Sequence, residues 1–336
     1  MNALQNRIAG AIAGMVLGDA LGVPGELWPR EKVRARFGWI DDFLDGPEDN
    51  IVACYFKAGH YTDDSAQAFV VLNALMRAGT VPPLSVLAED LLAWVRSMNG
   101  FEINLLGPSS KASLLAWSRN EDAAPVTKQS LTNGAAMRIA PVGCLAAGGM
   151  EMLAETVARV SRVTHSTDVA ISGAAMVAQA VASAVEGKSW EEMREDVAAM
   201  HAAAMPKGEP TWAASVLSRL EAFEALLPKL GGNPDDDDVS LLIYEAIGTG
   251  TMTSESVAAA LAVAFYCRDP WRAAVMCANM GGDTDTIGAM AAAICGAKAG
   301  IEAFDPQRVE TLERINGLDF RRLAADVLAA RETFRI

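Results

Sequence analysis

Apolar, alanine-rich segments of helical length recur along this chain between Pro and Gly breaks, and no extended run alternates β-branched with polar residues. A half-buried strand needs that period-two alternation, and alanine is the best helix former, so the chain is constrained to fold from helices. The pattern predicts helices over about 6–22, 62–78, 84–97, 109–119, 134–148, 150–162, 167–186, 189–203, 210–226, 239–247, 254–267, 271–280, 285–299 and 306–329. Breaks fall at Pro82-Pro83, Gly107-Pro108, Pro206 to Pro210, and Gly231-Gly232-Asn233-Pro234. No internal repeat and no long linker interrupts this order. The expectation is one all-α domain over residues 1–336, with a site inside a helical bundle or at its mouth.

Composition removes several classes. A chain of 336 residues that is 51% hydrophobic and 21% charged can bury a core. A net charge of −14 argues against a nucleic-acid backbone as partner, because little in the chain would replace its counterions. The five cysteines are odd in number and form no CxxC, which reads as a reducing, cytoplasmic setting. The N-terminus lacks a cationic start followed by an unbroken apolar core. The apolar stretches Val169–Val185 and Val257–Cys267 read as buried helices, so no membrane is expected as a partner. Oligomeric state is not legible.

Two short polar clusters carry the chemistry. Met280-Gly281-Gly282-Asp283-Thr284-Asp285-Thr286 places two carboxylates and two hydroxyls at the mouth of an Ala-rich helix. Tyr61-Thr62-Asp63-Asp64-Ser65 does the same far upstream. Either tetrapeptide alone is a plausible helix cap with an acidic first turn. Their repetition, and the glycine pair that lets backbone approach a ligand, point instead to one oxygen-ligand site assembled by folding, suited to a hard cation such as Mg²⁺.

Further segments extend the site. Glycines at 10, 14, 18 and 22 line one helix face and suit close packing. Asp19 within that face is expected to be buried and to need donors or a metal. Glu26 follows Pro24-Gly25 at the start of a loop, where a carboxylate can move. Ser130-Leu131-Thr132 leads into Asn133-Gly134-Ala135-Ala136-Met137-Arg138, a turn whose free N–H groups suit an anion. Arg138 fits a phosphate or a surface ion pair there. His165, in another polar turn, fits either a hydrogen-bonded structural role or a place beside substrate. Asp235-Asp236-Asp237-Asp238 reads as a solvated acidic run.

Taken in order, these blocks resemble the ADP-ribosylglycohydrolases, a family that includes the dinitrogenase reductase-activating glycohydrolases, vertebrate ADP-ribosyl hydrolases and J1-crystallin relatives. The resemblance runs from Gly10 to about Gly300. It implies a single-domain orthogonal helical bundle holding two Mg²⁺ ions, with Mn²⁺ as the alternative. By the same resemblance the metal ligands would be Thr62, Asp63, Asp64, Asp283, Asp285 and Thr286. Glu26 would be a mobile carboxylate at the cleft. Ser130, Thr132, Asn133, Gly134 and Met137 would lie along the substrate, His165 close to it, and Gly281-Gly282 near the ribose. The implied activity is hydrolysis at C1″ of an ADP-ribosyl group or a related riboside, through an oxocarbenium-like state, with Asp63 or Asp64 as base. The alternatives are a small-riboside hydrolase and a non-catalytic ADP-ribose binder or crystallin-like member. One departure stands out. Many members carry Asp-Ile-Gly after the Trp-containing helix; here the stretch is Phe101-Glu102-Ile103-Asn104, which makes Glu102 the candidate replacement for that catalytic acid.

Overall fold

The computed structural model describes residues 1–145, 148–232 and 234–335. Among these residues the chain forms helices and no strand, with three isolated β-bridges between loops. The last expected residues of the 134–148 helix lie partly outside the described set. Its earlier part differs from expectation: a single 3₁₀ turn covers Asn133–Ala135, and the helix proper is Ala140–Leu145. The long C-terminal helix also divides, into Pro306–Asn316 and Phe320–Thr333, because Gly317 takes a left-handed φ of 64° and caps the first piece. An unanticipated helix, Arg30–Phe37, forms in the loop after Glu26.

The glycine face of the first helix, Ala3–Gly22, decides the architecture. It packs backbone to backbone on the Thr284–Ala299 helix. A Cβ on Gly18 would lie 2.0 Å from the Gly288 carbonyl oxygen, and one on Gly22 would lie 2.4 Å from the Asp285 Cα. Only glycine permits that approach. The contact carries the two ends of the chain together and sets the start of one helix beside the finish of the other.

Asp19 extends this arrangement to a third helix. Its carboxylate accepts the Thr62 and Ser65 backbone N–H groups at 2.9 and 3.0 Å and the Ser65 hydroxyl at 2.6 Å. The first helix thereby caps Asp63–Ala78. The buried acid is satisfied by donors. Ala3–Gly25 and Asp168–Val185 are long and apolar enough to cross a membrane by length and composition, yet both are almost wholly buried in the fold. They are the central helices that their neighbours wrap.

Candidate active site

The Asp283 loop is built by backbone constraint. Gly281 and Gly282 adopt φ of 82° and 86°. A Cβ on Gly281 would strike the Arg30 backbone nitrogen, and one on Gly282 the Thr249 carbonyl. Gly282 exchanges hydrogen bonds with the Glu26 loop: Leu27 N–H donates to Gly282 O at 2.7 Å, and Gly282 N–H to Trp28 O at 2.8 Å. Asn50 holds the same loop by donating to the Glu26 carbonyl at 2.8 Å. Glu26 is thus brought to Asp283 and Asp285, and one carboxylate oxygen from each lies within 4.8 Å of the others.

Asp63 and Asp64 face this trio across a cavity of about 260 Å³. Thr286, Thr132, Asn133, Gly134 and Met137 line it as well. Thr62 stands beside it, with its hydroxyl accepting the Asp64 N–H at 3.3 Å as the helix cap. The cap and site readings of that segment are therefore compatible. Three buried carboxylate oxygens here have no hydrogen-bond partner: Glu26 Oε2, Asp64 Oδ2 and Asp285 Oδ1. Burial raises every carboxyl in the group, and repulsion from the neighbouring acids adds to it at Glu26, Asp63, Asp64 and Asp285, while hydrogen bonds temper the rise at Asp283. Asp63 is pushed up to about 8 and Asp283 to about 6, while Glu26, Asp64 and Asp285 stand well above the usual carboxylate range. Five acids around one small space, three of them with orphaned oxygens, fit a divalent cation, which would supply the missing charge and the missing contacts.

The opposite wall is a hydrogen-bonded network centred on Arg138. That residue is fully buried, so neither the phosphate nor the surface ion-pair reading describes it. Its guanidinium donates to Gln67 Oε1 at 2.9 Å, and Gln67 Nε2 donates to Asp63 Oδ2 at 2.8 Å. A second arm donates to the Thr164 hydroxyl at 2.6 Å. A guanidinium only donates, so the Thr164 proton is free to reach His165 Nδ1 at 2.8 Å. We assign His165 the tautomer that fits this donor, with its proton on Nε2 and directed to the Thr132 hydroxyl at 3.0 Å. Burial and the Arg138 charge push His165 down to about 3, which keeps it neutral. The Thr132 hydroxyl, with its oxygen occupied, is left to donate into the cavity.

The expected site residues therefore divide. Glu26, Asp63, Asp64, Asp283, Asp285, Thr286, Thr132, Asn133, Gly134 and Met137 share the cavity. Asn133 also fixes Asp283, donating to its carboxylate at 2.5 Å. His165 stands behind Thr132. Ser130 is a buried strut whose hydroxyl donates to Val126 O at 2.9 Å. Gly281 and Gly282 shape the loop from outside the cavity. Glu102 is exposed on a surface turn and does not line the cavity, because the chain re-enters only at Asn104 and Leu105. Gln67 and Arg30 are functional neighbours that the sequence reading passed over. Gln67 could have been found by its i, i+4 spacing from Asp63. The acidic run is not simply solvated: Asp236 pairs with Arg272, Asp237 pairs with Arg30 and Arg34, and Asp235 caps a helix.

Comparison with known proteins supports the assignment of this fold. The sequence model of the family described as ADP-ribosylglycohydrolase matches residues 1–335. YegU of Escherichia coli K12, described as uncharacterized, is 41% identical over 329 residues, covering 97% of each chain. ADP-ribosylhydrolase ARH3 of Bos taurus is 25% identical over 321 residues, covering 88% of this chain and 86% of its own. A solved structure titled ADP-ribosylglycohydrolase-related protein complex superposes with a TM-score of 0.72 at 22% identity, covering 100% of both chains.

Proposed function

The chain belongs to the ADP-ribosylglycohydrolase family, and from that premise we propose that it hydrolyses the bond between C1″ of an ADP-ribosyl group and its leaving group, using Mg²⁺ or Mn²⁺. Family membership supports ADP-ribosyl hydrolase activity in general. The observation that carries the metal-dependent reading is the set of partnerless oxygens on Glu26, Asp64 and Asp285 around one cavity. Glu26, Asp283 and Asp285 would hold one cation, and Asp63, Asp64, Thr62 and Thr286 complete a second position. Bound there, two divalent cations would let these carboxylates ionise together and would hold the vicinal hydroxyls of a ribose.

The protein's own groups account for the rest. Thr132 donates to substrate oxygen, with His165 behind it fixing that polarity. Asn133 holds Asp283 in place. Asp63 or Asp64 takes a proton from the attacking water as its oxygen bonds to C1″. The C1″ bond to the leaving group breaks with its electron pair, the leaving group takes up a proton, and ADP-ribose is released. Glu26, on a loop, controls access.

Calorimetry with ADP-ribose, with and without Mg²⁺, followed by a release assay on ADP-ribosylated Arg and Ser peptides, tests the proposal. Metal-dependent release, lost in Asp64→Ala, is expected. Binding without release of any conjugate would sink the enzyme reading in favour of a binding protein. Release of AMP in place of intact ADP-ribose would point to a phosphoesterase.

A further inference from the structure

A second concavity opens directly against the acidic cavity, and we propose that it is the leaving-group subsite and takes an uncharged, flat aromatic group rather than an arginine guanidinium. This inference rests on the hydrolase reading above. Asp63 and Leu105 line both spaces, so the groove begins at the wall of the acidic cavity. Its volume, about 430 Å³, is in the range of small-molecule sites. Tyr55, Phe56, Tyr61 and Trp94, with Ile103 and Ile315, make its lining mainly aromatic and apolar.

The polar groups in the groove are largely spent on the fold. The Asn316 amide donates to Gly59 O at 2.8 Å and Leu312 O at 3.0 Å. The Thr62 hydroxyl caps its helix. Tyr61 is braced edge-on against Phe69, with ring centroids 5.8 Å apart, so its ring orientation is set before any ligand arrives. Recognition here is therefore by burial and stacking, for which any flat aromatic group qualifies.

A guanidinium could stack on the same rings but needs a carboxylate to satisfy its fork of donors. The groove's lining has a single carboxylate, Asp63, which is already bonded to Gln67. The other titratable groups in the lining are Tyr55, Tyr61, His60 and Lys57, the last paired with Asp45 at 2.9 Å, and none of them offers a carboxylate. Nothing else in the groove balances an incoming cation.

The test compares α-linked p-nitrophenyl and agmatine conjugates of ADP-ribose in wild type and in Ala66→Phe, which fills the groove from the Asp63–Ala78 helix. The aryl conjugate is expected to have the higher kcat/KM, and the ratio of aryl to agmatine kcat/KM is expected to fall about tenfold in the variant. An unchanged ratio, or an initial preference for agmatine, overturns the assignment while leaving the hydrolase reading intact. If neither conjugate is hydrolysed, the release assay on ADP-ribosylated Arg and Ser peptides decides the hydrolase reading. The groove is then judged by NMR titration of p-nitrophenol in the presence of ADP-ribose. Saturable shifts of the Trp94 indole signal, absent in Ala66→Phe, support it, and their absence from wild type rejects it.

Discussion

Arg138 donates to the Thr164 hydroxyl at 2.6 Å, and that contact favours Thr164 as the donor to His165 Nδ1, which places the ring proton on Nε2. The consequence is measurable. In wild type the ¹⁵N spectrum of His165 should show a neutral ring protonated on Nε2 across the whole range above pH 5. Thr164→Val removes the donor to Nδ1 and strands one arm of the buried guanidinium. The variant is expected to lose about 1–3 kcal/mol in urea unfolding and to show a mixture of tautomers. An unaltered Nε2–H signature in that variant would mean that Arg138 does not set the polarity of Thr132.

Stability without metal should fall as pH rises. Asp63 and Asp283 have folded pKa values of about 8 and 6 against an ordinary 3.8, and Asp19 is likewise raised to about 6. A raised acid binds its proton more tightly in the folded state, so its contribution is complete below the ordinary value and is lost as pH climbs through the folded one. His165 works the other way. It is depressed to about 3, so its contribution is present above its ordinary 6.5 and is lost as pH falls. The decline should be clearest above about pH 7, where the His165 contribution is nearly complete and Asp63 is still losing its proton in the folded state. Urea unfolding there should show declining stability in chelator and little decline at saturating Mg²⁺, since the cation binds the ionised carboxylates. Equal decline in both would count against a cation at these residues.

Much of this was legible in the sequence because it depended on local chemistry. The capping threonine and acidic turn at Thr62-Asp63-Asp64, the glycine pair before Asp283, and the glycine face of the first helix each announce a conformation that few other residues permit. Their meeting in space followed from the spacing of Gly10, Gly14, Gly18 and Gly22, which needs a partner of small residues. What was hidden was long-range. Gln67 and Arg138 read as ordinary helix and turn residues until the fold sets them 2.9 Å apart. The acidic run at 235–238 looked solvated because its partners, Arg30, Arg34 and Arg272, are remote in the chain. Glu102 resembled a catalytic acid by position alone, and position along a loop does not fix which way the loop faces.

Gly18→Ala tests the glycine contact. The added methyl carbon would meet the Gly288 carbonyl oxygen at 2.0 Å and its carbon at 2.2 Å, both main-chain atoms that cannot rotate away. The helices must separate, at a cost of about 1–3 kcal/mol or more. Because Asp285 rides on the displaced helix, Mg²⁺ affinity should fall together with stability. Gly232→Ala serves as the control, since nothing lies within 4 Å of its would-be Cβ; thermal melts should separate the two. Equal melting temperatures would show that the interface yields more easily than close packing implies.

Arg30 tests whether the Asp283 loop is held in shape from behind. It is buried, and its guanidinium donates to the carbonyls of Asn279 and Met280 at 3.3 and 3.4 Å and to the Asp237 carboxylate at 2.5 Å. Those carbonyls immediately precede Gly281-Gly282, whose left-handed geometry aims Asp283 and Asp285 at the cavity. Lysine at this position keeps the charge but cannot span two carbonyls and a carboxylate at once. Supporting residues of this kind typically change metal affinity by tenfold or more when replaced, so Arg30→Lys should weaken Mg²⁺ binding about tenfold in calorimetry. Asp237→Asn should produce a smaller loss of the same sign, because Arg30 keeps its carbonyl contacts. Full affinity in both variants, with a native circular dichroism spectrum, would leave the glycine pair alone responsible for the loop.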